Sequence, residues 1–165
     1  MNENYLMING KRVDLTEEQI KKLGLKVEKE VCFSREYKQT YYYIDNYGTV
    51  KAEYDSEASE IDELRHNTAN YCTNKELMQQ RALHETLSRF LWRFSMQNDG
   101  DKIDWNNESQ NKFNLYYSYE DKKLIIGFDW DIKHDGIYFY SEEIAQRAID
   151  EIIIPFMKEH PDFIW

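Results

Sequence analysis

The sequence has few of the residues that build disulfide frameworks, metal sites or phosphate-binding loops. Its 165 residues include 2 cysteines, 2 prolines and 6 glycines. Cys32 and Cys72 lack CxxC spacing and paired histidine ligands, which predicts two reduced thiols and no structural metal. The glycines are scattered singly, whereas a P-loop or a dinucleotide-binding turn needs several at fixed spacing. We therefore expect a fold that stands without a disulfide, a metal ion or a cofactor.

Long apolar segments are also missing. The amino-terminal residues contain no basic start followed by an apolar run, so they do not resemble a signal peptide. The longest apolar runs, such as residues 152–154, are far too short to cross a bilayer. We expect a cytoplasmic protein that has no membrane partner.

Basic residues are outnumbered in this chain. The sequence contains 21 lysines and arginines against 31 aspartates and glutamates, for a net charge of −10. A nonspecific nucleic-acid-binding protein needs a basic face that displaces counterions from phosphates, so we expect no direct binding to nucleic acid. An acidic surface can instead attract and orient a basic protein.

No complete catalytic or metal-binding motif is present. His84 and Glu85 begin like the zinc-protease motif HExxH, but Ser88 stands in the place of the second histidine. The aspartates after residue 98 do not continue with the glycine and glutamate of a calcium loop. The sequence also lacks a nucleophile elbow, and its 4 histidines lie far apart. We therefore name no catalytic and no metal-binding residue, while a hydrolase assembled across the fold stays an open alternative.

The longest periodic segment, residues 73–98, predicts a helix of about seven turns. Thr73 and Glu76 fit a capping box at its start. One side carries an apolar stripe that should face the core: Leu83, Leu87, Phe90 and Phe94, with Leu77 and Leu91 on its flank. The opposite side mixes apolar and charged residues: Met78, Trp92 and Met96 beside Arg81, Glu85 and Arg89. We expect this helix to be covered on two sides, by its own sheet and by something else.

Residues 1–30 predict a separate appendage. Asn9 and Gly10 form the strongest two-residue hairpin signal, because both residues tolerate positive φ. A short helix follows, with Thr16 and Gln19 as its capping box and Gly24 at its end.

Residues 31–165 predict the core domain. It contains hairpins at 40–54 and 113–132 and a third strand at 137–140. Its last helix begins after Ser141 and should kink at Pro155, which lacks a backbone N–H. The acidic stretch from residue 55 to residue 71 is interpreted as a loop with one helical turn at 61–64.

The two halves of the core domain resemble each other. Each places a helix with the sequence Gln-Arg-Ala after an aromatic strand, at Arg81 and at Arg147. This likeness suggests a duplicated hairpin–helix unit, and independent origin stays open. Either way, we predict an α+β fold in which an antiparallel sheet, built from hairpins, carries two long helices on one face.

Several segments together resemble a known family. They are INGKRVDLTEEQIKKLGL, YYYIDNYGTV, ANYCTNKELMQQRALHETLSRFLWRFSMQNDGDKIDW, IYFYSEEIAQRAIDEII and PFMKEHPDFIW. Over nearly its full length, the chain resembles small acidic proteins encoded by phages, prophages and mobile elements of gut Firmicutes. The resemblance implies a setting in which small acidic proteins often inhibit host defences. CRISPR nucleases are one such target, because they hold nucleic acid in basic channels.

We therefore expect a non-enzymatic phage protein that binds a host protein, such as an anti-CRISPR or another inhibitor of host defence. Two sets of residues are the candidate contacts. An anchor face on the long helix comprises Arg81, Glu85, Arg89, Trp92 and Met96, although packing against the N-terminal hairpin explains this face equally well. An acidic loop comprises Glu57, Glu60, Asp62 and Glu63. The alternative is a small-ligand or nucleotide-binding protein with its site between the sheet and the long helix. The sequence leaves the oligomeric state open.

Overall fold

The computed structural model describes residues 5–8, 11–23 and 32–165, and the chain divides into two compact units, Met1–Ser34 and Arg35–Trp165. In the first unit, strand β1 (Tyr5–Ile8) pairs antiparallel with β2 (Lys11–Asp14), and helix α1 (Glu17–Lys22) follows. The predicted capping box is confirmed, since Thr16 Oγ1 accepts from Gln19 N at 3.3 Å and Gln19 Oε1 accepts from Thr16 N at 2.8 Å. The predicted turn at Asn9 and Gly10 and the helix stop at Gly24 lie outside the described residues.

The second unit contains two antiparallel hairpins and a set of helices. Its elements in order are β3 (Thr40–Ile44), β4 (Val50–Tyr54), α2 (Glu60–Asn67), α3 (Lys75–Gln97), β5 (Lys112–Ser118), β6 (Lys123–Asp129), α4 (Glu142–Ala148), a π-helical turn (Ile149–Ile153) and α5 (Ile154–Glu159). The predicted α+β class with hairpin strands is confirmed. A common origin of its two halves stays a prediction.

The sequence suggested a single antiparallel sheet, but the strands of the described residues do not merge into one. Each hairpin is a separate two-stranded sheet. The predicted third strand at 137–140 reduces to a single bridge, in which Phe113 and Phe139 exchange two backbone hydrogen bonds of 3.1 and 2.7 Å. A second bridge joins Tyr42 of β3 to Cys72, just before α3.

Helix α3 begins one residue later than its capping pattern predicted. Asn74, rather than Thr73, is the N-cap, and its side-chain oxygen accepts a hydrogen bond of 2.9 Å from Leu77 N. Asparagine and threonine both serve well as N-caps, so neighbouring candidates cannot be ranked from sequence alone.

The main core packs against one side of α3. Leu87, Leu91 and Phe94 join α4, the π-helical turn, α5 and the carboxyl-terminal segment in a single cluster. The other buried members of that cluster are Phe139, Ala145, Ala148, Ile149, Ile153, Phe156 and Phe163. The π-helical turn precedes Pro155, so the predicted irregularity at this proline is present just before it.

The opposite side of α3 is covered too. At about 100° per residue, Met78 and Ala82 lie across the helix from Leu87, and both are buried outside the main cluster. The β3–β4 hairpin lies on this side, since Gly48 in its turn is close to Thr86 and Arg89. The stripe drawn from sequence therefore needs correction: Met78 is buried, whereas Phe90 is 38% exposed.

Among the described residues, no helix combines the length and the apolar character that a bilayer crossing requires.

The two sides of α3 give a stability prediction. Leu87→Ala empties a core position and should lower the free energy of unfolding by about 2–5 kcal/mol. Phe90→Ala should cost less, because its ring is partly exposed. Trp92→Ala should change stability by no more than about 0.5 kcal/mol, since its side chain is 60% exposed. Urea unfolding of the three variants measures this order, and a loss at Trp92 equal to that at Leu87 would contradict it.

Candidate partner-binding surface

The acidic stretch that was interpreted as a loop with one helical turn at 61–64 contains helix α2, Glu60–Asn67, so the turn is present but the helix is about twice as long as predicted. Ser59 caps the helix, and its Oγ accepts a hydrogen bond of 3.2 Å from Asp62 N. Acidic residues occupy the first turn and Arg65 and His66 the last, which complements the helix dipole at both ends. The pattern Ser59-x-x-Asp62 is a capping signal that could have revealed this helix from sequence.

Asp62 connects α2 to the rest of the unit through hydrogen bonds. Its side chain is buried, with 4% exposure. One carboxylate oxygen accepts from the Tyr41 hydroxyl at 2.6 Å, and the other accepts from Ser56 N at 3.0 Å. Burial by itself raises the pKa of Asp62, but hydrogen bonds from Tyr41, Ser56 and Ser59 outweigh it, so the pKa lies below its usual value. Asp62 is therefore a structural anchor, and its predicted place in an exposed acidic loop needs correction.

Tyr41 and Arg65 complete this anchor. The Arg65 guanidinium lies 3.5 Å from the centroid of the Tyr43 ring and donates to the Tyr41 hydroxyl at 2.5 Å. Burial, followed by the hydrogen bond to Asp62, raises the pKa of Tyr41. The phenol therefore keeps its proton. Its hydroxyl accepts a hydrogen bond from Arg65 and donates one to Asp62.

A second buried carboxylate holds the segment between β4 and α2. Asp55, 1% exposed, accepts three hydrogen bonds from Arg35, of 2.9 and 3.2 Å from Nε and 3.1 Å from Nη2. Arg35 also donates to the Ser56 carbonyl at 3.2 Å. Tyr71 stacks on Tyr41 with ring centroids 4.2 Å apart. The pairing of Asp55 with Arg35 stabilises this arrangement of the chain, because removal of Arg35 would leave the buried Asp55 carboxylate without its cation.

The anchored helix presents a mixed surface to solvent. Ile61 and Leu64 are 61% and 62% exposed, and they line a groove of about 440 Å³ together with Tyr43 and Ile44. Three exposed glutamates, Glu57, Glu60 and Glu63, belong to the same stretch of chain. We call Glu57, Glu60, Ile61, Glu63 and Leu64 the α2 surface.

The three glutamates of the α2 surface take no part in the ion pairs of this region. The ion pairs of this region are made by Asp55 with Arg35 and by Asp62 with Arg65. Glu57, Glu60 and Glu63 have no ion-pair partner among the described residues. Sequence reasoning found these glutamates, but it missed Ile61 and Leu64 as exposed residues.

The residues of the anchor face predicted on α3 fall into two groups, one that makes internal contacts and one that is exposed. Arg81 forms an ion pair of 2.8 Å with Glu85 and donates to the Ala69 carbonyl, so these two residues serve internal contacts. Arg89 is exposed and lies beside the β3–β4 turn. Trp92 and Met96 are 60% and 39% exposed, and they remain available to a partner.

Comparisons of this chain with protein-family models, with curated proteins and with solved structures give no match.

The anchoring role of Asp62 predicts a pH-dependent effect of its substitution. The folded state favours the ionised carboxylate, so Asp62→Asn should lower stability at pH 7 by about 1–3 kcal/mol. The stabilisation is complete above the unfolded pKa of about 3.9 and disappears as the pH falls through the lower folded pKa. The difference between the two proteins should therefore shrink below about pH 4.

Urea unfolding between pH 7 and pH 2 measures that difference. Glu63→Gln is the matched control, because it removes an exposed carboxylate from the same turn of α2. It should change stability little at any pH. An Asp62→Asn effect that is independent of pH would show that the carboxylate charge plays no part in holding α2.

Proposed function

We propose that this is a non-enzymatic, phage- or prophage-encoded cytoplasmic protein that binds a host protein through the α2 surface. One observation carries the proposal. Ile61 and Leu64, both more than half exposed, lie on a helix that buried hydrogen bonds hold in place. A short polar helix has little stability of its own, so this one depends on the buried network beneath it.

The composition of the α2 surface favours a partner that is both basic and apolar. Exposed aliphatic side chains on a rigid element can be buried at little cost in conformational entropy. Their burial would stabilise the complex once it has formed. The exposed charges of Glu57, Glu60 and Glu63 would accelerate encounter with a positively charged surface and would disfavour acidic partners.

A nuclease of the host defence is the narrower proposal. RNA-guided nucleases carry basic channels, and the protein has a net charge of −10. The resemblance to phage-encoded acidic proteins supports the same class of target. The exposed Trp92 and Met96 on α3 are proposed as a second contact, since tryptophan and methionine are enriched in protein interfaces.

The experiment is surface plasmon resonance against a panel of purified RNA-guided nucleases at two salt concentrations. The test variant changes Glu57, Glu60 and Glu63 to Gln. Its association should be slower than that of the unmodified protein and less sensitive to salt, because steering acts between exposed charges within a Debye length of about 8 Å. Changing Ile61 and Leu64 to Ser should chiefly speed dissociation, since lost apolar burial weakens the formed complex.

A charge-matched control separates a local contact from a general effect of acidity. Glu108, Glu120 and Glu159 are exposed glutamates outside the α2 surface, and changing them to Gln removes the same number of charges. This control should bind almost as the unmodified protein does. Equal losses in both triple variants would contradict a contact at the α2 surface. No binding by the unmodified protein would end the nuclease proposal for that panel.

A further inference from the structure

A second groove lies away from α2, between the β5–β6 hairpin and the segment at residues 134–138. Its volume is about 660 Å³. The residues that matter for its chemistry are Asn114, Tyr116, Asp129, His134, Asp135 and Tyr138. They come from both strands of the hairpin and from the segment that follows it. The groove therefore belongs to one continuous part of the second unit.

Asp129 and Asp135 are the two carboxylates that line this groove, and neutral donors hold one oxygen of Asp129. Oδ2 accepts from Asn114 Nδ2 at 2.7 Å and from the Tyr138 hydroxyl at 3.0 Å. Burial raises the pKa of Tyr138, and the hydrogen bond to Asp129 acts in the same direction. The phenol therefore stays protonated and remains a donor. The carboxylate is thus fixed in orientation without being neutralised.

The other oxygen of Asp129 is weakly engaged. Its neighbour is His134 Nε2 at 3.8 Å, which is longer than a hydrogen bond. Lys112 lies opposite Asp129 in the β5–β6 ladder. Its ammonium group, however, donates to other groups. Its Nζ donates to the carbonyls of Asn107 and Trp130, each at 2.6 Å. Among the described residues, the Asp129 carboxylate therefore makes no ion pair other than the one with His134.

A half-exposed aromatic ring lies on the same face of the hairpin as Asp129. Tyr116 is 49% exposed, and the pairs Tyr116–Ile125, Asn114–Gly127 and Lys112–Asp129 place it on that face. Gly127 leaves room for the Tyr116 ring, since an added Cβ would lie 2.9 Å from Tyr116 Cε1 and 2.8 Å from Asn114 Oδ1. A carboxylate near an aromatic ring is the combination that attracts organic cations, through charge-assisted hydrogen bonds and cation–π contacts.

We infer that this groove binds an organic cation that carries N–H donors on an aliphatic stem, namely a guanidinium or a primary ammonium group. The cation would donate to Asp129 Oδ1, and its stem would lie against Tyr116. This inference is independent of the proposed function, because it rests on a different set of residues from the α2 surface. Its failure would leave the α2 surface untouched, and the reverse also holds.

A matched pair of ligands tests the inference without any substitution in the protein. N-acetyl-arginine methylamide and N-acetyl-citrulline methylamide have nearly the same shape, but only the first carries a charge. In a titration followed by the backbone amide signals of the protein, the arginine compound should shift those of Asp129, His134 and Gly136 and saturate. The citrulline compound should bind at least about tenfold more weakly. Equal binding of the two compounds would overturn the inference.

A third ligand separates two sources of the cation. Propylguanidinium carries the same charged group without peptide amides. Tighter binding of the arginine compound would assign the groove to a basic side chain of a peptide or protein. Equal or tighter binding of propylguanidinium would assign it to a small free amine or guanidine.

Substitutions locate the charge that is responsible. Asp129→Asn keeps acceptors for Asn114 and Tyr138 and should weaken binding of the arginine compound about tenfold. Asp131→Asn is the control, because it removes an exposed charge two residues away and outside the groove lining. It should change affinity less than about twofold. Tyr116→Ala, which leaves the Asp129 hydrogen bonds in place, should weaken binding several-fold. Equal effects of the two aspartate variants would contradict a site at Asp129.

Discussion

The buried carboxylate of Asp62 is the interaction on which the arrangement around α2 depends. It joins three separate pieces of chain: β3 through Tyr41, the β4–α2 connection through Ser56, and α2 itself. Arg65 adds its charge from the next turn of the helix. A polar helix of this length lacks the apolar stripe that would pack it against a core, so hydrogen bonds and an ion pair do that work instead.

This mode of anchoring has a consequence for the exposed side of the helix. Because Asp62 and Arg65 face the protein, Ile61 and Leu64 are left in solvent, together with Glu60 and Glu63. In most surface helices the aliphatic residues are the ones that face inward. Here the polar residues hold the helix, and the aliphatic residues are exposed to solvent. The proposed binding function rests on this arrangement, in which polar residues face inward and aliphatic residues face outward.

Sequence patterns predicted the elements that hydrophobic periodicity and capping residues reveal. The long helix, both hairpins and the Ser141 cap were found, since each leaves a local signature. The burial of Met78 and the exposure of Phe90 were missed, because the two sides of α3 pack against different elements along its length. The separate sheets were missed because a strand pattern does not show which edges pair. Asp62 could not be recognised as buried, since its partners lie up to 21 residues away. The glutamates of the α2 surface were predicted as candidate contacts, but the exposure of Ile61 and Leu64 between them was not.

Amide hydrogen exchange of the free protein tests the anchoring of α2 most directly. The backbone amides of Glu63 and Thr68 donate within the helix, to the carbonyls of Ser59 and Leu64, and should be protected. Tyr41→Phe removes only the hydroxyl that donates to Asp62. If the network holds α2, this variant should speed exchange in α2 and leave the amides of α4 and α5 unchanged. Fast exchange of α2 in the unmodified protein, or no change in the Tyr41→Phe variant, would contradict the anchoring role of Asp62.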